Sequence, residues 1–196
     1  MITIKKTVRL VAAPEPVFVG TKIDILVHDD SRTFGIGSIS IADDAAEFTI
    51  DWGDGSEPSR FTENASLATH EYAAGGRYAV RISDGAKSAA ISTSKTPSEY
   101  VSVYAPMIER VVSTAEKLTT ISSRAFKGAT ALTFASFKSV SGLPAPNASN
   151  VQFVGCDALA AIHFAAENEA AIKATTGWAR SDGTLGAANA TIYFDL

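Results

Sequence analysis

What this chain has least of narrows its chemistry first. One cysteine, Cys156, stands among 196 residues, so no intrachain disulfide can form and no cysteine-based zinc site can be assembled. Three histidines occur, His28, His70 and His163, and none has a second histidine at ligand spacing. Lysine and arginine number 17 against 21 acidic residues, a formal net charge of −4. Binding a nucleic acid needs a basic patch that displaces counterions, so no nucleic-acid partner is expected. The one basic cluster, Lys5, Lys6 and Arg9, reads as a solvated strand face. No apolar run approaches the ~18 residues of a transmembrane helix, and membrane insertion is not expected. The N-terminal stretch MITIKKTVRLVAAPEPVFVG has basic residues without an unbroken apolar region, so it does not read as a signal peptide.

What is present is apolar patterning. The chain is 46% hydrophobic, enough for ordinary cores in one large or two small domains. Through the first ninety or so residues apolar side chains alternate with polar ones, the period of half-buried strands. Ile23, Ile25 and Val27 share one face of KIDILVH, and Lys22, Asp24 and His28 the other. Phe48, Ile50 and Trp52 form the inward set of EFTIDW, and Tyr78, Val80 and Ile82 that of RYAVRIS, with Arg77, Arg81 and Ser83 facing water. Turn signals, GDGS, AAGG and SDG, separate the runs. Short strands punctuated by glycine turns predict a mainly β fold with a β-sandwich.

The stretch FTIDWGDGSEPS, Phe48 to Ser59, carries two aspartates, two glycines and a tryptophan directly after a strand. Glycine supplies the positive φ such turns demand, and a neighbouring Asp accepts hydrogen bonds from exposed backbone N–H groups. With Trp52, Gly53, Asp54, Gly55, His70, Tyr72, Gly76, Tyr78 and Val80 in order, the segment from about Val17 to Ser92 resembles the PKD-type immunoglobulin-like domain. The resemblance implies a sandwich over residues 1–93. The stretch His28 to Glu47 is long for that family, and Ile39 and Ile41 are expected to form an additional edge strand. Asp51 and Asp54 are also the candidate calcium ligands, since oxygen-rich acidic loops bind hard cations. The pattern lacks the regular further oxygen donors of an EF-hand loop, which leaves a structural turn as the expectation and no cofactor. His70, inside H-x-Y, is expected as a packed strand residue, because no G-x-S-x-G elbow accompanies it.

The second half repeats. FKGATAL (Phe126–Leu132) and FVGCDAL (Phe153–Leu159) match in Phe, Gly, Ala and Leu, 27 residues apart, with Cys156 opposite Ala129. A period in this range points to stacked units. Leu118, Ile121, Ala125, Phe126, Ala129, Leu132 and Ala135, followed by Phe153, Cys156, Leu159 and Ile162, resemble the BspA-type leucine-rich repeat over about Val103 to Phe164. Ile108 and Val111 would fill an earlier half-copy. The second copy departs from the pattern, with Gln152 in the alanine slot and two prolines in SGLPAPNASN, and its turn is expected to bulge out as a loop. Cys156 reads as a small buried filler.

The expected organisation is therefore a PKD/Ig-like β-sandwich at 1–93, a linker at 94–106, and a short leucine-rich-repeat solenoid with a C-terminal capping helix at 107–196. Stacked units need caps. The sandwich or the segment Thr93–Pro106 is expected to cover one end, and AAENEAAIKATTGW the other, as a short helix with Asn168 as cap and Gly177 as stop. ATIYFD is expected to pair with the repeat sheet. The N-x-S/T strings at Asn64, Asn147 and Asn189 read as chance occurrences. Neither family carries catalytic residues as a rule, so the expectation is no enzyme. The pairing of the two resemblances implies a bacterial surface or adhesion-type protein, at the cell surface or extracellular, that recognises an extracellular protein or glycan. A phage or prophage virion structural protein is the alternative expectation.

Overall fold

A computed structural model describes residues 17–90, 103–122, 124–143, 152–175 and 184–196. Lys5, Lys6, Arg9 and Gly177, residues 94–102 of the expected linker and 144–151 of the proline-containing loop lie outside the described residues. The chain is mainly β with one short α-helix among the described residues. Seven strands come first: β1 (Gly20–Val27), β2 (Thr33–Ile41), β3 (Phe48–Asp51), β4 (Ser59–Phe61), β5 (Ala65–Glu71), β6 (Gly76–Ser83) and β7 (Ala86–Ala90). Then come β8 (Ile108–Ser113), β9 (Thr120–Ile121), β10 (Phe134–Phe137), β11 (Ala161–Phe164), a 3-10 turn at Ala166–Asn168, α1 (Glu169–Lys173) and β12 (Thr191–Phe194).

Alternation decides which way each strand faces. Ile23, Ile25, Phe48, Ile50 and Val80 are fully buried, and Val27, Trp52 and Ile82 nearly so, as the period of two predicts. The strands form an eight-stranded sheet in the order β12-β11-β10-β8-β1-β6-β3-β4 and a four-stranded sheet in the order β5-β2-β7-β9. Phe34, Ile36, Ala68 and Ala86 of the smaller sheet share one apolar cluster with the buried face of the larger.

Two local expectations need correction. The strand containing Ile39 and Ile41 is not an edge: β2 pairs antiparallel with β5 on one side and β7 on the other. Ile39 is 1% exposed, so its apolar side chain drives the strand inward. Asn168 precedes α1 but does not cap it through its side chain. Its backbone is already helical, at φ −91° and ψ −4°, whereas a side-chain cap needs an extended residue. The amide instead donates to the Lys138 carbonyl, 3.2 Å away.

The halves join within the larger sheet. β1 lies between β6 and β8 and is antiparallel to both; from β8 onward β10, β11 and β12 add in parallel. Ile108 and Val111 of β8 are fully buried. β12 pairs with β11 as the ATIYFD pattern predicts.

Between the parallel strands the chain makes the same turn three times. Ala129 N–H donates to Phe126 O, Cys156 to Phe153 O and Ala187 to Thr184 O; three residues on, Leu132, Leu159 and Ala190 repeat the bond. The glycine two places into each turn, Gly128, Gly155 and Gly186, has φ of 78°, 76° and 80°, where a side chain is strained. Adjacent turns stack through Phe126 N–H to Gln152 O and Gly128 N–H to Val154 O. Their Phe126 and Phe153 rings lie 5.0 Å apart and nearly parallel, at 6°. The third turn is a copy that sequence comparison misses, because Thr184 and Ala190 replace Phe and Leu. There the buried residue is Leu185, fully enclosed in the left-handed conformation at φ 53°. Ala135, Ile162 and Ile192 align across the following strands, as do Phe137, Phe164 and Phe194.

Candidate functional site

The turn after β3 is held by its own side chains. Gly53 takes φ 81° and packs so closely that a Cβ there would stand 2.6 Å from Ala79 O. Asp51 Oδ1 accepts from Gly53 N–H at 2.9 Å, while its Oδ2 faces Arg81 at 3.3 Å. Asp54 Oδ1 accepts from the N–H and hydroxyl of Ser56, and its Oδ2 meets His70 Nε2 at 2.7 Å. His70 stacks on Trp52, with centroids 5.2 Å apart. The Trp52 indole N–H donates to Ser59 Oγ, and the Tyr72 hydroxyl donates to Trp52 O.

These contacts set the electrostatics. Burial works against the charge on Asp54, but the bonds from Ser56 and His70 outweigh it and hold the carboxyl at about 2. Burial, with Asp54 nearby, raises the Tyr72 phenol. All four carboxylate oxygens of Asp51 and Asp54 have protein partners. Among the described residues no group of three or more His, Cys, Asp or Glu gathers as a metal cluster. The order Ser56–Asp54–His70 is also wrong for nucleophilic catalysis, since the hydroxyl donates to the carboxylate rather than to the imidazole that must take its proton. The cluster does the chemistry of a braced turn. In the repeats, Cys156 is 1% exposed and donates to Phe126 O at 3.0 Å. Burial pushes its thiol up to about 12, so it stays protonated and is a poor nucleophile.

The other concentration of charged and aromatic side chains is the outward face of the eight-stranded sheet. Strand register sets Asp51, Arg81, Lys22, Val112, Ser136, His163 and Tyr193 in one row from β3 to β12. The next row is Ala79, Asp24, Arg110, Phe134, Ala161 and Thr191. The end nearer β3 is ionic: Lys22–Asp24 at 2.9 Å, Arg81–Asp51 at 3.3 Å, and Arg77–Glu109 at 3.0 Å. Glu109 raises the Arg77 guanidinium further above its usual value. The end nearer β12 is aromatic. The Arg110 guanidinium lies 4.8 Å over Phe134, Phe134 lies 5.1 Å from His163, and His163 stacks on Tyr193 at 4.7 Å and 14°. His163 Nδ1 meets Asp195 Oδ1 at 2.7 Å, which fixes the ring.

Known protein families, curated proteins and solved structures were each compared with the chain, and none matches.

The structure thus places Asp51 and Asp54 together on one turn, and its outward aromatic row is made of residues that sequence reasoning passed over. His163 reads in isolation as a lone histidine in an apolar strand. Its signal lies in the outward slots of the repeat strands, F-A-S-F, A-I-H-F and T-I-Y-F. There Phe134, His163 and Tyr193 occupy positions that a solvated strand ordinarily gives to short polar residues.

Proposed function

We propose that this chain is a non-catalytic recognition protein of the bacterial cell surface, of the adhesion type. Its first half is a PKD-type immunoglobulin-like sandwich, continued by a short solenoid of BspA-type leucine-rich repeats. The braced Trp52–Gly53–Asp54–Gly55 turn with His70 and Tyr72 supports the first assignment, and three stacked turns with buried Phe, Leu and small residues support the second. The observation that carries the functional reading is the outward face of the long sheet. It spans both halves and sets an ionic half beside an aromatic one, and aromatic and Arg side chains on a rigid surface are what extracellular protein and glycan partners engage. Tyr193, 42% exposed, and Arg110 are exposed groups of its aromatic half.

The test has two parts. Source cells are fractionated with and without phage induction, and the purified protein is screened on immobilised glycans and extracellular proteins. The reading expects recovery at the envelope and a ligand whose binding falls at least tenfold in Arg110→Ala/Tyr193→Ala. Leu67→Ser, on β5 of the smaller sheet, leaves binding unchanged. Recovery in released particles assigns the protein to a virion instead. A ligand indifferent to Arg110 and Tyr193 removes the sheet face from the mechanism.

A further inference from the structure

A cleft of about 330 Å³ opens at the carboxyl ends of β8, β10 and β11. Its floor is Val112, Ser136 and Ala165, and its rim is Lys138, Glu167 and Leu196. Three features make it more than a surface fold. Ser136, only 5% exposed, brings a hydroxyl-bearing side chain to the lining. Lys138 is held in place by its backbone, its N–H donating to Ser113 O and its carbonyl accepting from the Asn168 amide. Lys138 and Glu167 carry opposite charges on the same cleft, and neither has an ion-pair partner among the described residues, not even the other.

The lining selects a chemistry. A hydrocarbon tail would cover Ser136 and both charged groups without offering them a partner, which costs free energy. An uncharged sugar would leave both charges unmatched, and an anion would be repelled by Glu167. A small molecule with one charge of each sign and an apolar body matches both charges and the apolar lining: carboxylate to Lys138, ammonium to Glu167, and side chain against Val112, Ala165 and Leu196. The volume lies at the lower end of the range for small-molecule sites. We propose that this cleft binds a free aliphatic α-amino acid, with leucine as the representative ligand. The cleft shares Val112 and Ser136 with the outward row of the sheet, but Arg110 and Tyr193 are not in its lining, and binding there does not require them. Both charge contacts are exposed and individually weak, so the affinity is on the order of 1 mM.

The experiment is a titration of the ¹⁵N-labelled full chain with L-leucine, followed through amide shifts. The expected result is saturable shifts at Val112, Ser136, Ala165 and Leu196. Leucinamide and N-acetylleucine bind roughly three- to fivefold more weakly, each having lost one charge contact, and glycine does not saturate. In Lys138→Met, leucine and leucinamide bind equally; in Glu167→Gln, leucine and N-acetylleucine bind equally. Both side chains are exposed, and matching melting temperatures confirm that these variants fold. The proposal is overturned if leucine gives no saturable shifts at concentrations tenfold above the expected dissociation constant. It is equally overturned if the charge-deleted ligands bind the native protein as well as leucine does, or if Lys138→Met leaves leucine binding unchanged.

Discussion

Gln152 supplies the sharpest energetic test of the stacked turns. It occupies the slot that Ala125 fills one turn earlier, is fully buried, and neither its amide nitrogen nor its amide oxygen has a hydrogen-bond partner among the described residues. Its backbone is committed, because Gln152 O accepts from Phe126 N–H. The side chain therefore follows the stack inward whatever its polarity. A buried polar group without a partner costs about 1–3 kcal/mol. Methionine has nearly the same length and shape, is unbranched and has no strong hydrogen-bonding demand. Gln152→Met is expected to stabilise the protein by about 1–3 kcal/mol, raising the midpoint of thermal unfolding by roughly 2–12 °C for a chain of this size. Urea unfolding followed by tryptophan fluorescence measures it, with a higher midpoint at unchanged slope as the expected signature. Gln152→Ala is the control. It removes the amide but leaves a cavity, so it should gain less than the methionine variant or nothing. A Met variant less stable than the native protein by 1 kcal/mol or more would refute the reasoning and show that the amide is hydrogen-bonded in solution, for example to a buried water.

Three further outcomes follow from the geometry. Asp54→Asn weakens the braced turn by about 1–2 kcal/mol at pH 7. Because the Asp54 carboxyl is depressed to about 2 from an ordinary value of 3.8, its contribution is fully present above the ordinary value and disappears as pH falls through the depressed one. The midpoint gap between native and variant in urea should therefore close between pH 4 and 2; a gap independent of pH removes Asp54 ionisation from the account. Phe153→Ala, at a fully buried ring stacked on Phe126, should cost about 3–5 kcal/mol in equilibrium unfolding, and a loss under 1 kcal/mol contradicts the stacking. Cys156 should resist thiol reagents in the native protein and react stoichiometrically in denaturant; rapid native labelling refutes its burial.

The strand pattern of the first half is readable because one face of each strand meets the same core, so alternation of Ile23-Ile25-Val27 or Phe48-Ile50-Trp52 survives in the sequence. The turn is readable for a similar reason, since positive φ at Gly53 and Gly55 demands a residue type. Asp51 and Asp54 are the two candidates that the same stretch puts forward, and their oxygens turn inward to Gly53, Ser56, Arg81 and His70. Long-range pairing leaves no such trace. Nothing local says that β1 will pair with β8, or that β2 will sit between β5 and β7, because partner choice depends on surfaces made by distant strands. The third turn hides for another reason. What the backbone needs there is Gly186 and a small residue at Ala187, and two small residues are too common to register as a repeat once Phe and Leu have been replaced. The aromatic row on the outer face escapes because Phe134, His163 and Tyr193 are brought together by register, not by spacing along the chain.

The position of β1 has a consequence for how the molecule comes into being on the ribosome. The first half can emerge and close around its own core while β1 still shows one unpaired edge, and β8 is the next long strand to leave the exit tunnel. Each later strand then finds its template already laid down by the one before: β10 on β8, β11 on β10, β12 on β11. The order of pairing matches the direction of synthesis, and no strand of the parallel series needs a partner made after it. During synthesis each strand thus meets its partner in turn, whereas in refolding from denaturant all strands are available to β1 at once.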